Sequence, residues 1–350
     1  MKFRHLLLVG WLVSWLVLPS LALEIGGYYE NDAVVGFNRH LTAEAGNINR
    51  LRLKIKAGSF YFEPRYYYFP ATQSMSLAGT SDLDRLVWDK AYFKFSNFTI
   101  GKQRIAWGTG YIWNPTDIFN PFVMAFSVRE EDETNVEAVR LEIPLGLASG
   151  IDAYVQSGKE WSNSVKGIRV KNNIGRFDYS GSFIDLGSGS SLVGFDSAGE
   201  LFGLGVRQET AYRSPAGGPA YLQTMLGADY TFENGTYINS EYYFNGLGKN
   251  NKSNYDWTST VRGRDYLYLG VSRSLDEITR ISGSVLINLN DTGFLFYPSY
   301  ARNLSQNVDV YLEAALLSGP AGSEYCPPPA QDPTGYGNSK FGLVRIRYSF

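Results

Sequence analysis

The charged residues that stand out in this sequence are not catalytic in kind. Arg50, Arg52, Lys54 and Lys56 occupy alternate positions, separated by Leu51, Leu53, Ile55 and Ala57. Farther on, Glu130, Glu131, Asp132 and Glu133 form an unbroken acidic run. On an extended strand, alternation sends all four bases to one face and the aliphatic residues to the other. Four successive bases on one face need water or counter-charge. An acidic segment held opposite such a wall would set up a transverse field that orders dipolar solutes and filters ions. Ion pairs that merely neutralise one another are the competing reading.

Covalent chemistry has little to work with. Histidine occurs only at His5 and His40, so a Ser-His-Asp hydrolase would need His40 as its base, and no nucleophile elbow accompanies it. Cys326 is the single cysteine, which leaves no internal disulfide and no Cys/His metal cluster. No P-loop is present, and Phe202-Gly203-Leu204-Gly205 reads as strand glycine rather than a nucleotide fingerprint. No cofactor, metal or catalytic site is expected.

The elements that must position the charges follow from the chain's ends and its periodicity. Lys2 and Arg4 precede an apolar run from Leu6 to Leu18, and Ser20-Leu21-Ala22 supplies small residues at a peptidase site. Residues 1–22 therefore read as an export signal, with cleavage before Leu23. Removing Lys2 and Arg4 leaves 30 bases against 34 acids, a balance that excludes the basic footprint of a nucleic-acid partner. The remaining 23–350 holds no comparably apolar stretch. Its 25 Tyr, 21 Phe and 7 Trp suit a membrane interface, where an aromatic ring has one wet end and one apolar end.

Period-two alternation recurs along the chain. It appears as Val139, Leu141 and Ile143 against Arg140 and Glu142, and as Leu267, Leu269 and Val271 against Arg264, Tyr266 and Tyr268. It predicts an all-β, transmembrane antiparallel β-barrel of about 18 strands, apolar toward lipid and polar toward the lumen. The short connections alternate with the long ones, 70–84, 106–134, 247–262 and 319–339. That parity requires a strand at 191–198, the weakest alternation of the set. A slipped count would give sixteen.

The last ten residues, FGLVRIRYSF, place Val344, Ile346, Tyr348 and Phe350 on one face and Arg345 and Arg347 on the other. This resembles the final-strand signature of bacterial outer-membrane proteins, a terminal Phe with an aromatic two residues before it. The resemblance implies that Tyr348 and Phe350 are read by the barrel assembly machinery. Gly101 to Pro121, with Trp107-Gly108 and Asn114-Pro115-Thr116-Asp117, is similar to a stretch of poorly characterised porin-like families. That similarity implies a third outer loop, 106–134, folded into the barrel. Its apolar residues Trp107, Tyr111, Ile112 and Trp113 are also too numerous for a freely solvated loop. Asn114 and Asn120, each before a proline, favour ordered turns.

The expected constriction therefore comprises Trp107, Trp113, Asn114, Asp117, Asn120 and Glu130 to Glu133. Opposite it would stand a basic wall of Arg50, Arg52, Lys54, Lys56, Arg65, Lys90, Lys94, Arg345 and Arg347. The expected function is passive diffusion of small hydrophilic, and if bases exceed acids locally, anionic solutes. The alternatives are a non-conducting scaffold for an exported polymer or partner protein, an outer-membrane hydrolase, and a soluble secreted β protein. Expected partners are outer-membrane lipid, the assembly machinery, the solute and further copies of the chain.

Overall fold

The structure, a computed structural model, describes residues 22–68, 84–120, 134–332 and 337–350. The export segment 1–21 lies outside them. The first third of the wall is β1 (Leu23–Phe37), β2 (Ala43–Ala57), β3 (Phe60–Tyr68), β4 (Asp84–Phe95), β5 (Phe98–Arg104) and β6 (Asn135–Pro144). The second is β7 (Gly150–Gln156), β8 (Val165–Ile174), β9 (Phe177–Gly187), β10 (Ser190–Leu201), β11 (Leu204–Ser214) and β12 (Tyr221–Thr231). The last is β13 (Tyr237–Asn245), β14 (Asp265–Ser274), β15 (Thr279–Asn288), β16 (Phe294–Ser305), β17 (Val308–Ser318) and β18 (Lys340–Ser349).

Every strand runs antiparallel to its chain neighbours, and β1 pairs with both β2 and β18. The sheet is thus a closed barrel of eighteen strands with no free edge. Closure is sealed at the terminal residue, where the Phe350 N–H donates to the Gly27 carbonyl at 3.0 Å and the Gly27 N–H returns the bond at 2.9 Å.

The apolar residues point outward. Val344, Ile346, Tyr348 and Phe350 are 45–50 % exposed, whereas Arg345 on the opposite face is 2 % exposed. Leu51, Phe93, Phe95, Phe195 and Leu226 join the outer apolar surface, while Glu30, Arg52, Glu63 and Glu209 are buried inside. This inverts a soluble β protein and fits a barrel solvated by lipid. No helix among the described residues is long and apolar enough to cross a membrane.

Leu23, Phe350 and the turns that follow the even-numbered strands lie at one rim. The connections that follow the odd-numbered strands lie at the other, among them the tight turn between β9 and β10 and the long connection between β13 and β14. The strand required by parity exists and is longer than its alternation suggested, running from Ser190 to Leu201. Its turn differs from expectation. Phe202 and Gly203, read as strand, have φ of 54° and 81° and form a two-residue hairpin turn of the kind that matches strand twist. Alternation continues through such a turn, so the pattern alone misplaced it by two residues.

Candidate functional site

The described part of the third outer connection, residues 105–120, turns into the barrel. Ile105, Trp107 and Trp113 are almost completely buried, and each packs on the inner faces of strands distant in the chain. Trp107 sits with Tyr154, Ile184, Leu192 and Ala211, and its Nε1–H donates to Asp152 Oδ2 at 2.8 Å. Trp113 stacks on Tyr243 with ring centroids 4.3 Å apart and planes 6° from parallel, beside Met225, Tyr266 and Leu286. Two indoles therefore plug separate apolar patches on the wall from β7 to β15.

Carboxylates from that wall hold the loop's backbone. Glu209 Oε2 accepts from Thr109 N at 2.9 Å, and Glu209 Oε1 accepts from Thr116 N at 2.6 Å and Thr116 Oγ1 at 2.7 Å. Glu241 accepts from the N–H groups of Tyr111, of Ile112 at 2.9 Å and of Trp113 at 3.2 Å. An ionised acceptor gives each bond roughly twice the strength of a neutral pair. Arg213 completes the clamp by donating to the Pro115 carbonyl at 2.8 Å. Gly108 has a φ of 120°, and a Cβ there would come within 2.4 Å of Asn114 Oδ1 and 2.7 Å of Glu209 Oε2. Only glycine lets the backbone approach the carboxylate this closely.

The Asn-Pro pairs stiffen the loop from within. Asn114 Oδ1 accepts from Gly110 N at 2.9 Å, and its Nδ2 donates to Gly110 O at 3.1 Å. Asn120 Nδ2 reaches the Ile105 carbonyl at 3.2 Å and Asn120 Oδ1 accepts from Thr134 N at 2.8 Å, tying the two ends of the connection together. Asp117 caps the turn by accepting from Phe119 N and Asn120 N, both at 3.0 Å. Burial pushes its carboxyl above the ordinary range, opposed by these donors and by the Arg104 charge.

The basic wall forms on the other side of the lumen. β1 lies between β18 and β2, so their bases converge on its acids. Glu30 accepts from Arg50 at 2.7 Å and from Arg347 at 2.9 Å, while Arg345 holds Asp32 at 2.6 Å and Glu313 at 3.2 Å. Arg52 pairs with Glu63 and Arg65 with Asp89. The last pair depends on a bulge at Glu63/Pro64, where proline cannot donate to the ladder. Asp89 is itself the extra residue, left between Trp88 opposite Pro64 and Lys90 opposite Glu63, and its carboxylate pairs with Arg65. Near the short-turn rim Lys56 reaches Glu24 at 3.3 Å and Lys94 reaches Glu142 at 3.5 Å. Lys54 and Lys90 form no ion pair among the described residues.

A third cluster knots the outer mouth. Glu324 Oε2 accepts from Tyr266 Oη at 2.6 Å and Asn288 Nδ2 at 2.7 Å. Asp291 Oδ2 accepts from Tyr255 Oη at 2.9 Å and Glu324 N at 2.7 Å. This binds the long connections after β13 and β17 to the β15–β16 turn. Desolvation raises the Glu324 carboxyl, against the lowering pull of Tyr266, Asn288 and Arg262.

No family model matches the sequence, and no curated protein matches it. Solved structures do. A variant of OccD1 (OprD) superposes with a TM-score of 0.63 at 10 % identity, covering 95 % of this chain and 97 % of its own. Acinetobacter baumannii OccAB4 gives 0.61 at 8 % identity, covering 95 % and 99 %. Pseudomonas aeruginosa OccK9 (OpdG) gives 0.60 at 10 %, covering 94 % and 98 %. The fold is that of the porins.

On this porin fold the anticipated residues separate into three groups. Trp107, Trp113, Asn114, Asp117 and Asn120 lie together in the loop against the β7–β15 wall. Arg50, Arg52, Arg65, Arg345 and Arg347 cluster on the opposite wall, but their partners are Glu30, Asp32, Glu63, Asp89 and Glu313 on that same wall. The closed register sets an acid beside each of them. Glu130, Glu131, Asp132 and Glu133 lie outside the described residues, as do residues 70–83. Glu209, Glu241 and Arg213 were missed. Each is one polar residue on an ordinary alternating strand, with no local mark of its attachment to a segment about a hundred positions away.

Proposed function

We propose that the chain is an outer-membrane channel for the passive diffusion of small hydrophilic solutes, with residues 106–134 as its constriction. The observation that carries the reading is the one-sided seating of the loop, on acceptors of the β7–β15 wall. An eighteen-stranded barrel encloses an aqueous interior unless something fills it, and a loop held to one side narrows that interior. The channel favours anions. Arg50, Arg52, Arg65, Arg345 and Arg347 are balanced by neighbouring carboxylates, which leaves Lys54 and Lys90 to set the sign of the field.

The test is single-channel recording of the refolded protein in a planar bilayer under a salt gradient. Stable openings with a reversal potential on the anion side, moved toward cations by Lys54→Glu, support the reading. A correctly folded barrel with no conductance refutes the open channel and favours a scaffold for an exported partner.

The chain also associates with copies of itself in this reading. What supports it is a polar patch midway along the lipid face, where Gln208 Nε2 reaches Thr210 Oγ1 at 2.5 Å and Thr210 meets Thr224 at 3.1 Å. Polar side chains at that depth are costly against hydrocarbon and gain from a protein neighbour. Cross-linking from a cysteine placed at Thr224 in native membranes would give dimers or trimers. Monomer alone would remove this part of the reading.

A further inference from the structure

The outer surface is not evenly covered. Where β14, β15 and β16 meet, Val271 pairs with Gly283 and Gly283 pairs with Pro298, so the middle of this lipid-facing row has no side chain and its two flanks carry only the short valine and the proline ring. Taller residues stand on both sides of this row, Leu269, Val285 and Phe296 above and Ile281 below. The result is an apolar groove of about 470 Å³ on the lipid face. Arg273 is the one charged residue lining it; Ser272, Ser282 and Ser284 also line it, at the alternate strand positions that belong to the lumenal face. Arg273 is exposed and forms no hydrogen bond or ion pair among the described residues. It stands two residues from Val271, about 7 Å along the strand, next to the short turn that leads into β15.

Within hydrocarbon the groove gains nothing from the hydrophobic effect, since lipid tails are as apolar as its lining. Left empty it would forfeit dispersion contacts along its walls, so a chain must fill it. What turns filling into binding is the guanidinium at one end. An arginine at the membrane interface presents a planar fork that matches a phosphate with two parallel hydrogen bonds, and it is not already engaged by a carboxylate. Arg302 faces lipid two strands away at the same rim, but it bonds Tyr300 and lies in the field of Asp276, which leaves Arg273 as the open cation of the groove. The short-turn rim is the periplasmic one in a barrel of this kind.

We propose that this groove is a binding site for one anionic phospholipid of the periplasmic-side leaflet. An acyl chain lies between β14 and β16, and the headgroup phosphate rests on Arg273. The inference rests on the reading of the chain as an outer-membrane barrel but not on its conducting.

Native mass spectrometry of the detergent-folded full chain tests it, with phosphatidylglycerol and phosphatidylcholine as probes. Wild type is expected to retain one phosphatidylglycerol per chain and to prefer it over phosphatidylcholine. Arg273→Gln should lower the retained fraction about tenfold, the loss of one charge-assisted pair. Gly283→Leu, which fills the groove, should lower it as much while Arg273 remains. Heat-modifiable gel migration and single-channel conductance, measured on the same samples, should match wild type for both variants. Equal retention by wild type and both variants would mean that lipid coats the barrel without a site, and would overturn the proposal. So would equal retention of the two lipids, or a loss of oligomer mass rather than lipid mass in Gly283→Leu, since a second copy would then cover the groove. Loss of conductance in wild type, with lipid retention intact, would count against the channel reading alone.

Discussion

Replacing Glu241 by alanine tests whether the inward loop is held by wall carboxylates or merely rests there. Glu241 accepts the N–H groups of Tyr111, Ile112 and Trp113, and it is fully buried. A hydrogen bond to a charged group contributes roughly 1.5–3 kcal/mol. Three of them set an upper figure that lumenal water offsets in part, because the freed donors can be rehydrated. We expect a net loss of about 2–4 kcal/mol, which shifts the docked-to-released ratio roughly 30- to 700-fold. Glu209, Arg213 and the Trp113–Tyr243 stack remain, so the barrel should still fold and only the loop should loosen.

In planar bilayers the Glu241→Ala channel should show a larger and noisier conductance than wild type. Chymotrypsin should cut near Tyr111 and Trp113, sites protected in the parent. Glu241→Gln, which keeps the shape and one acceptor oxygen but not the charge, should fall between the two. Unchanged conductance with unchanged protection, in a variant whose heat-modifiable migration proves a closed barrel, would refute the claim that this carboxylate positions the loop.

Lys54→Glu should move the reversal potential toward cations while leaving stability near wild type, because Lys54 is exposed; the buried Arg52, reversed in the same way, should instead unfold the wall around Glu63 and lower recovery of folded barrel. The outer knot should respond to pH with a definite sign. The folded Glu324 carboxyl titrates above its ordinary value, so its protonation stabilises the knot below that raised value, and the contribution is lost as pH rises through it. Protection of residues 321–326, after the intrinsic base-catalysed exchange rate is divided out, should therefore fall from mildly acidic to alkaline pH, and Glu324→Gln should flatten the profile; protection that rises with pH would contradict the sign. Deleting Phe350 should reduce the assembled fraction in cells far more than refolding in detergent, as quantified by heat-modifiable migration. Equal loss in both would make its role that of sealing β1 to β18 rather than of an assembly signal.

The barrel was legible because lipid on one side and water on the other force period-two alternation, and the positions of Leu51 to Ala57 or of Val344 to Phe350 show it without any knowledge of partners. The weak segment near 191–198 became a strand through parity, since an odd strand count would leave a long connection among the short ones. Pairing between neighbouring strands of the lumenal wall was legible only in part. Tyr28, Glu30 and Asp32 alternate on β1 as visibly as the bases do on β2, and the hairpin register alone would have set Glu30 opposite Arg50. The Asp89–Arg65 pair was hidden, because it depends on the bulge at Pro64. The loop anchors were hidden for a different reason. Glu209 and Glu241 bond to backbone, and a backbone donor leaves no trace in the identity of the residue that carries it.

Attachment through main-chain N–H groups separates what fastens the loop from what the loop displays. Glu241 would grip residues 111–113 much the same if Tyr111 or Ile112 were other amino acids, provided the turn geometry was kept. Side chains on the solute-facing surface are thus free to vary in sequence space, whereas Gly108, Asn114 and the two carboxylates are not. Positions 111 and 112 carry a second attachment of their own, since Tyr111 meets Tyr237 and the Arg207 guanidinium while Ile112 packs against the Trp113 cluster, so a library there would vary side-chain packing while the carboxylate grip on the backbone stays.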